Sequence, residues 1–147
     1  MKTQIGSDSV AELFFWSRHA NPWSVWTLVV AYPMLILAIY RRRRLLLVGT
    51  LLFVSVNPLL FAPPDDDEAW ATRVVLGERV WFERGLLSSP RDSLFVGVTA
   101  PIHLFALRAA IKRQPVRTLF GTAVSLVCMF VFFDRMVRLY ELRPKNC

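Results

Sequence analysis

The 147-residue sequence predicts an all-α integral membrane four-helix bundle with interfacial amphipathic helices, a single membrane domain over residues 1–147. Three observations lead there. The chain is 54% hydrophobic with a mean hydropathy of +0.41 although 20% of its residues are charged, so apolarity and charge are segregated into blocks. Four apolar runs, over 22–40, 45–61, 94–111 and 118–136, approach the length that crosses hydrocarbon. The turns joining the first pair and the last pair are short and purely basic, the pattern of cytoplasmic loops. The net charge of +7 and pI of 10.3 would also suit a nucleic-acid binder. The basic residues lie between apolar runs and not along one soluble face, which excludes that class.

The elements follow in order. Ser9-Val10-Ala11-Glu12 reads as a capping box that opens an interfacial helix over 9–18, carrying Leu13, Phe14, Phe15 and Trp16. Arg18 to Thr27 is the most specific local stretch. Asn21 is suited to cap the free N–H groups of a helix, and Pro22 to its first position. Trp23 and Trp26 then sit where a membrane-water boundary favours amphipathic rings. The first span, 22–40, holds Pro33, where a kink is expected because the Val29 carbonyl loses its donor. Arg41, Arg42, Arg43 and Arg44 end it and are placed to meet anionic lipid head groups.

The second span, 45–61, contains Asn57-Pro58. A residue before proline is pushed from helical geometry, so a break is expected at Asn57, and a polar break at that depth must be buried in protein or line a cavity. Asp65 to Glu68 are expected to open an amphipathic helix over 65–84, four acids complementing its dipole. On its wheel Trp70, Val74 and Trp81 form one apolar stripe and Ala71, Val75 and Phe82 the next, with Glu78 between them. The third span, 94–111, carries Pro101, His103 and Arg108. The fourth, 118–136, carries Cys128, a Gly121/Ser125 spacing that permits close helix packing, and an Asp134/Arg138 pair at i,i+4.

Charge sets the expected orientation. The two short turns and their flanks hold eight basic residues and none of the eleven acids, which places them in the cytoplasm with both termini outside the cell membrane. All five tryptophans then fall on the outer side. The polar start, Met1 to Ser9, carries no cleavable leader, and Cys128 and Cys147 have no metal-ligand spacing.

The run Trp16 to Thr27, with Asn57-Pro58, Phe61-Ala62-Pro63-Pro64 and Trp70 to Glu78, resembles a family of small prokaryotic multi-pass membrane proteins classed only as a domain of unknown function. Its His-Ala-Asn-Pro-Trp-Ser motif is met at His19 to Ser24. The resemblance implies the membrane architecture and no chemistry.

Glu78, His103, His19 and Asn21 are the polar groups placed to converge in the outer half. A carboxylate and two imidazoles suit a metal or a proton path. In the alternative account His19 and Asn21 only cap a helix, Glu78 pairs with Arg18 or Arg79, and His103 binds a carbonyl freed by Pro101. No phosphate loop, serine-nucleophile motif or paired catalytic carboxylates are present, and Asp65 to Glu68 lack the spacing of a calcium loop. No cofactor or metal is expected. The sequence thus points first to a non-enzymatic structural or interaction role, with the bilayer and further copies of itself as partners. Its alternative is a small membrane enzyme or carrier using Glu78 and His103.

Overall fold

The computed structural model describes residues 7–143, with side chains from Val10 onward. Among the described residues there are six helices and no strand: α1 (Ser7–His19), α2 (Pro22–Arg41), α3 (Arg44–Leu60), α4 (Trp70–Arg84), α5 (Pro90–Ile111) and α6 (Pro115–Glu141). Three of them, α2, α5 and α6, are long and apolar enough to cross a membrane, while α3 is apolar but has 17 residues. Cys147 and the Ser9 side chain lie outside the described residues. Ser9 itself falls inside a helix that begins at Ser7, so it is not the residue before the helix as the capping box requires.

Local chemistry sets most of the boundaries. Asn21 accepts from the Trp23 N–H, and Pro22 follows at the first helical position of α2. Ser89 does the same for α5: its hydroxyl oxygen accepts from the Asp92 N–H and its proton goes to the Asp92 carboxylate. That start is four residues earlier than the expected 94. Proline also opens α6 at Pro115. α2 runs unbroken through Pro33.

Two expectations are corrected. The helix does not break at Asn57: α3 continues to Leu60, because Pro58 stands in the last turn, where its missing N–H and its ring affect only the closing hydrogen bonds. The amphipathic helix does not begin at Asp65 but at Trp70. Pro63 and Pro64 start the intervening segment, Asp66 accepts from the Glu68 N–H at 3.0 Å, and Arg73 donates to the carbonyls of Asp67 and Glu68 at 3.1 and 2.6 Å. Side chains therefore take the backbone groups that a helix would need.

The helices form two antiparallel hairpins, α2/α3 and α5/α6. Tyr32 in α2 meets His103 in α5, and Pro33 and Tyr40 share a cavity with Pro115 and Thr118. Both basic turns thus lie at one end of the molecule. α1 and α4 cover the other end, α4 packing along the outer half of α6 and across α2. The buried core is there: Trp16, Val25, Val74, Val75, Phe133, Met136 and Val137. Elsewhere α5 and α6 approach closely at Gly121, where an added Cβ would stand 3.0 Å from the Ala106 Cα. α3 packs on α2 and α1 but on neither α5 nor α6, so the four long helices do not close into a bundle.

The apolar surface is turned outward. Only 28%, 17% and 22% of the most apolar stretches of α2, α5 and α6 are buried inside the protein. Leu45, Leu52, Leu104, Leu119 and Phe120 are more than half exposed.

Gly77 is the tightest point between α4 and α6: a Cβ there would lie 1.9 Å from the Met136 carbonyl oxygen, which is backbone and cannot swing aside. Gly77→Ala is expected to lower the melting temperature in detergent, at a cost of about 1–3 kcal/mol or more. Gly49→Ala, where a Cβ meets nothing within 4 Å, is expected to be neutral or to stabilise α3 by about 0.5–1 kcal/mol. Equal effects at the two sites would show that the α4–α6 approach is not tight.

Candidate functional site

The site is the junction where α1 ends, α2 begins and α3 finishes, with α4 laid over it. A helix leaves its last carbonyls without internal donors, and side chains from α1, the α1–α2 link and α4 donate at or just beyond the helix ends here. Arg18 donates to the Leu59 carbonyl at 2.9 Å, Asn21 to the Ala62 carbonyl at 2.9 Å, and Thr72 of α4 to the Ala20 carbonyl at 2.8 Å. The junction is thus fastened from both sides.

Inside it runs a chain of side chains: Glu78, His19, Ser24, Asn57 and Thr27. The Glu78 carboxylate lies 3.7 Å from His19 Nε2, and His19 Nδ1 lies 2.8 Å from Ser24 Oγ. Ser24 Oγ is 2.6 Å from Asn57 Oδ1, and Asn57 Nδ2 is 2.7 Å from Thr27 Oγ1. Ser24 and Asn57 are fully buried, and His19 retains 9% exposure against Phe15 and Trp16.

The direction of every hydrogen bond in the chain follows from its inner end. Thr27 Oγ1 stands 2.6 Å from the Trp23 carbonyl and 3.1 Å from the Ser24 carbonyl. A carbonyl only accepts, so the threonine proton points to backbone and its oxygen must accept from the Asn57 amide. Asn57 Oδ1 then accepts the Ser24 proton, and Ser24 Oγ accepts from His19. The proton of the ring is thereby assigned to Nδ1. Nε2 is left facing the Glu78 carboxylate at 3.7 Å.

Ser24 is no nucleophile. It is wholly buried, and its proton is held by Asn57 rather than by an imidazole nitrogen.

Of the four candidates, the structure brings together His19 and Glu78, with Asn21 beside them as a cap. His103 stands apart. Its Nδ1 lies 3.1 Å from the Tyr32 hydroxyl, edge-on to that ring, and it lines a cavity of about 230 Å³ with Phe95, Cys128 and Phe132. The expected shared site of Glu78 and His103 is therefore corrected: the α2–α5 contact captures the histidine. Glu78 pairs with neither Arg18, which binds the Leu59 carbonyl, nor Arg79, which pairs with Glu83. His103 has Tyr32 as its partner, not a carbonyl freed by Pro101. Arg41 to Arg44 are exposed at the opposite end. Among the described residues no three His, Cys, Asp or Glu side chains cluster as metal ligands would.

Sequence reasoning missed Ser24, Thr27 and Thr72, because a hydroxyl in an apolar run carries no local sign of its partner. Asn57 was singled out, but as a break. Its depth carried the signal, since a buried amide must find both a donor and an acceptor.

A model of a protein family matches residues 8–145, nearly the whole chain. The chain belongs to DUF6653, a family of unknown function. The match takes in α5 and α6, beyond the motifs that carry the resemblance in sequence. No curated protein and no solved structure matches this DUF6653 chain.

Ser24→Ala leaves the Asn57 oxygen and the His19 Nδ1–H without partners, and is expected to destabilise the fold by about 1–3 kcal/mol. Combined with Asn57→Leu, the loss should fall short of the sum of the two by about 0.5 kcal/mol or more in detergent melts. Additive effects would show that the two residues do not share a hydrogen bond.

Proposed function

We propose that this DUF6653 chain is a multi-pass cell-membrane protein with a structural or interaction role, its two basic turns in the cytoplasm and its termini outside. In this reading α3 is the fourth span. Seventeen residues rise about 25 Å, short of the hydrocarbon thickness by an amount that local thinning accommodates. The observation that carries the reading is the burial of the junction. The polar groups that could do chemistry are consumed in fastening α1 and α4 to the helix ends, and Glu78 and His103 belong to separate contacts. Self-association is supported by α3, which packs on no helix besides α2 and α1 and exposes Leu52 and Leu60. Arg41 to Arg44 serve as a topology signal and meet anionic head groups.

The His19–Glu78 contact favours one second reading, a carrier whose outer gate holds a proton between these two groups. His103 has no part in it.

Side-specific labelling tests the architecture. In a chain carrying Cys128→Ala and Cys147→Ala, Asp66→Cys is expected to react with an impermeant maleimide on intact cells, and Arg43→Cys only after permeabilisation. The opposite pattern overturns the orientation, and reaction of both from one side overturns α3 as a span. Metal analysis of the purified parent tests the role. No stoichiometric metal is expected, whereas metal lost in both Glu78→Gln and His103→Ala would restore a shared site.

A further inference from the structure

A second cavity lies at the same end of the molecule, away from the His19 junction. About 340 Å³ in volume, it sits where the end of α4, the start of α5 and the outer half of α6 meet. That volume is at the lower end of the range of ligand pockets. Its apolar lining comes from Trp81, Met136, Leu139 and Leu142, and four arginines line it as well: Arg84, Arg91, Arg135 and Arg138.

The charges are not balanced. Arg135 binds Asp92 at 2.7 Å and rests on the Phe95 ring, and Arg138 binds Asp134 at 2.8 Å. Among the described residues Arg84 and Arg91 make no ion pair. Two positive charges therefore face the cavity beyond those its neighbours neutralise. The start of α5 also reaches the cavity wall through Ser89, Arg91 and Asp92, its dipole already offset by the Asp92 carboxylate. Trp81, whose indole N–H is buried without a protein acceptor, stands between this cavity and the one beside His103.

We propose that this cavity binds the phosphate of an anionic phospholipid from the outer leaflet. Arg84 and Arg91 supply the charge and the planar donors that phosphate oxygens accept, and Arg135, held in place by Asp92, supports them. The apolar wall selects an amphiphile over a free anion, because an inorganic phosphate would leave Trp81, Met136 and Leu139 facing water. The site differs from the arginine turn at Arg41 to Arg44, which lies at the other end of the molecule. The proposal rests on the chain being embedded in a bilayer with this end at its surface.

The test uses the full chain in nanodiscs of phosphatidylcholine with and without phosphatidylglycerol, with retained lipid counted by native mass spectrometry. One phosphatidylglycerol is expected to stay bound in preference to phosphatidylcholine. Arg84→Gln with Arg91→Gln should lower that preference roughly tenfold or more. Both side chains are exposed and unpaired, so this variant is expected to fold, and an unchanged melting temperature in phosphatidylcholine checks that it does. Arg41→Gln with Arg43→Gln should keep the preference. Equal retention of both lipids, or a preference indifferent to Arg84 and Arg91, overturns the proposal. Loss in the Arg41/Arg43 variant alone assigns the lipid to the turn and overturns it too. Inorganic phosphate that displaces the lipid at comparable concentration overturns the lipid as ligand. A chain that fails to enter nanodiscs overturns the membrane reading itself, and the two failures are thereby told apart.

Discussion

Asn57 sets the constraint on which the junction depends. It is wholly buried in the last turn of a helix whose surroundings are mostly apolar, so both halves of its amide must be satisfied by protein. Its NH2 group needs an oxygen already committed elsewhere as a donor, and its carbonyl needs a proton that no other group claims. Thr27 and Ser24, one turn apart on α2, meet those two demands. Once they do, α3 cannot slide along α2 without stranding an amide, and His19 must present Nδ1–H to Ser24. Register, rotamer and tautomer are fixed together by one side chain.

The same junction explains why α1 and α4 stay on the molecule. Neither is long and apolar enough to cross a membrane, and α1 exposes Val10, Leu13 and Phe14. Their attachment is part packing and part hydrogen bonding to helix ends. Val74 and Val75 are buried against Phe133 and Met136, while Thr72 takes a buried carbonyl and Arg18 and Asn21 take exposed ones at or just beyond the end of α3. A cap built on helix termini can bind tightly without a large interface, because the groups it satisfies are costly to leave bare.

How far the sequence reached depended on the range of the interaction involved. The apolar helices, the Asn21-Pro22 start, the close packing at Gly121 and the Asp134–Arg138 pair were legible, since each is set by periodicity or by near neighbours. Glu78 was legible as an anomaly: an acid between two apolar stripes has to find a partner, and His19 is the group it faces. The false start of α4 at Asp65 came from reading acids as dipole partners when Arg73 and Asp66 hold that backbone in turns. The partner of His103 was not legible at all. Tyr32 is 71 residues away, and nothing in either span predicts which face of α2 meets α5.

The two basic turns carry a last argument about charge. Each hairpin closes through an arginine in the left-handed region, Arg42 at φ 53° and Arg113 at φ 55°, and the residue after each donates back five positions, to Ala38 and to Ala109. Glycine is the residue that suits this position, and any other side chain there costs about 1 kcal/mol. The same local preference is overridden twice, at the same end of the molecule, and both times by an arginine. Packing does not explain it, because both side chains are exposed. A requirement for positive charge at that end does, and it supports reading these turns as the anchor of orientation. At the opposite end, Arg135 and Arg138 are paired with acids beside an open cavity. Among the described residues the turns hold charge with no acid nearby, whereas the cavity sets two arginines without an acid partner beside an apolar wall.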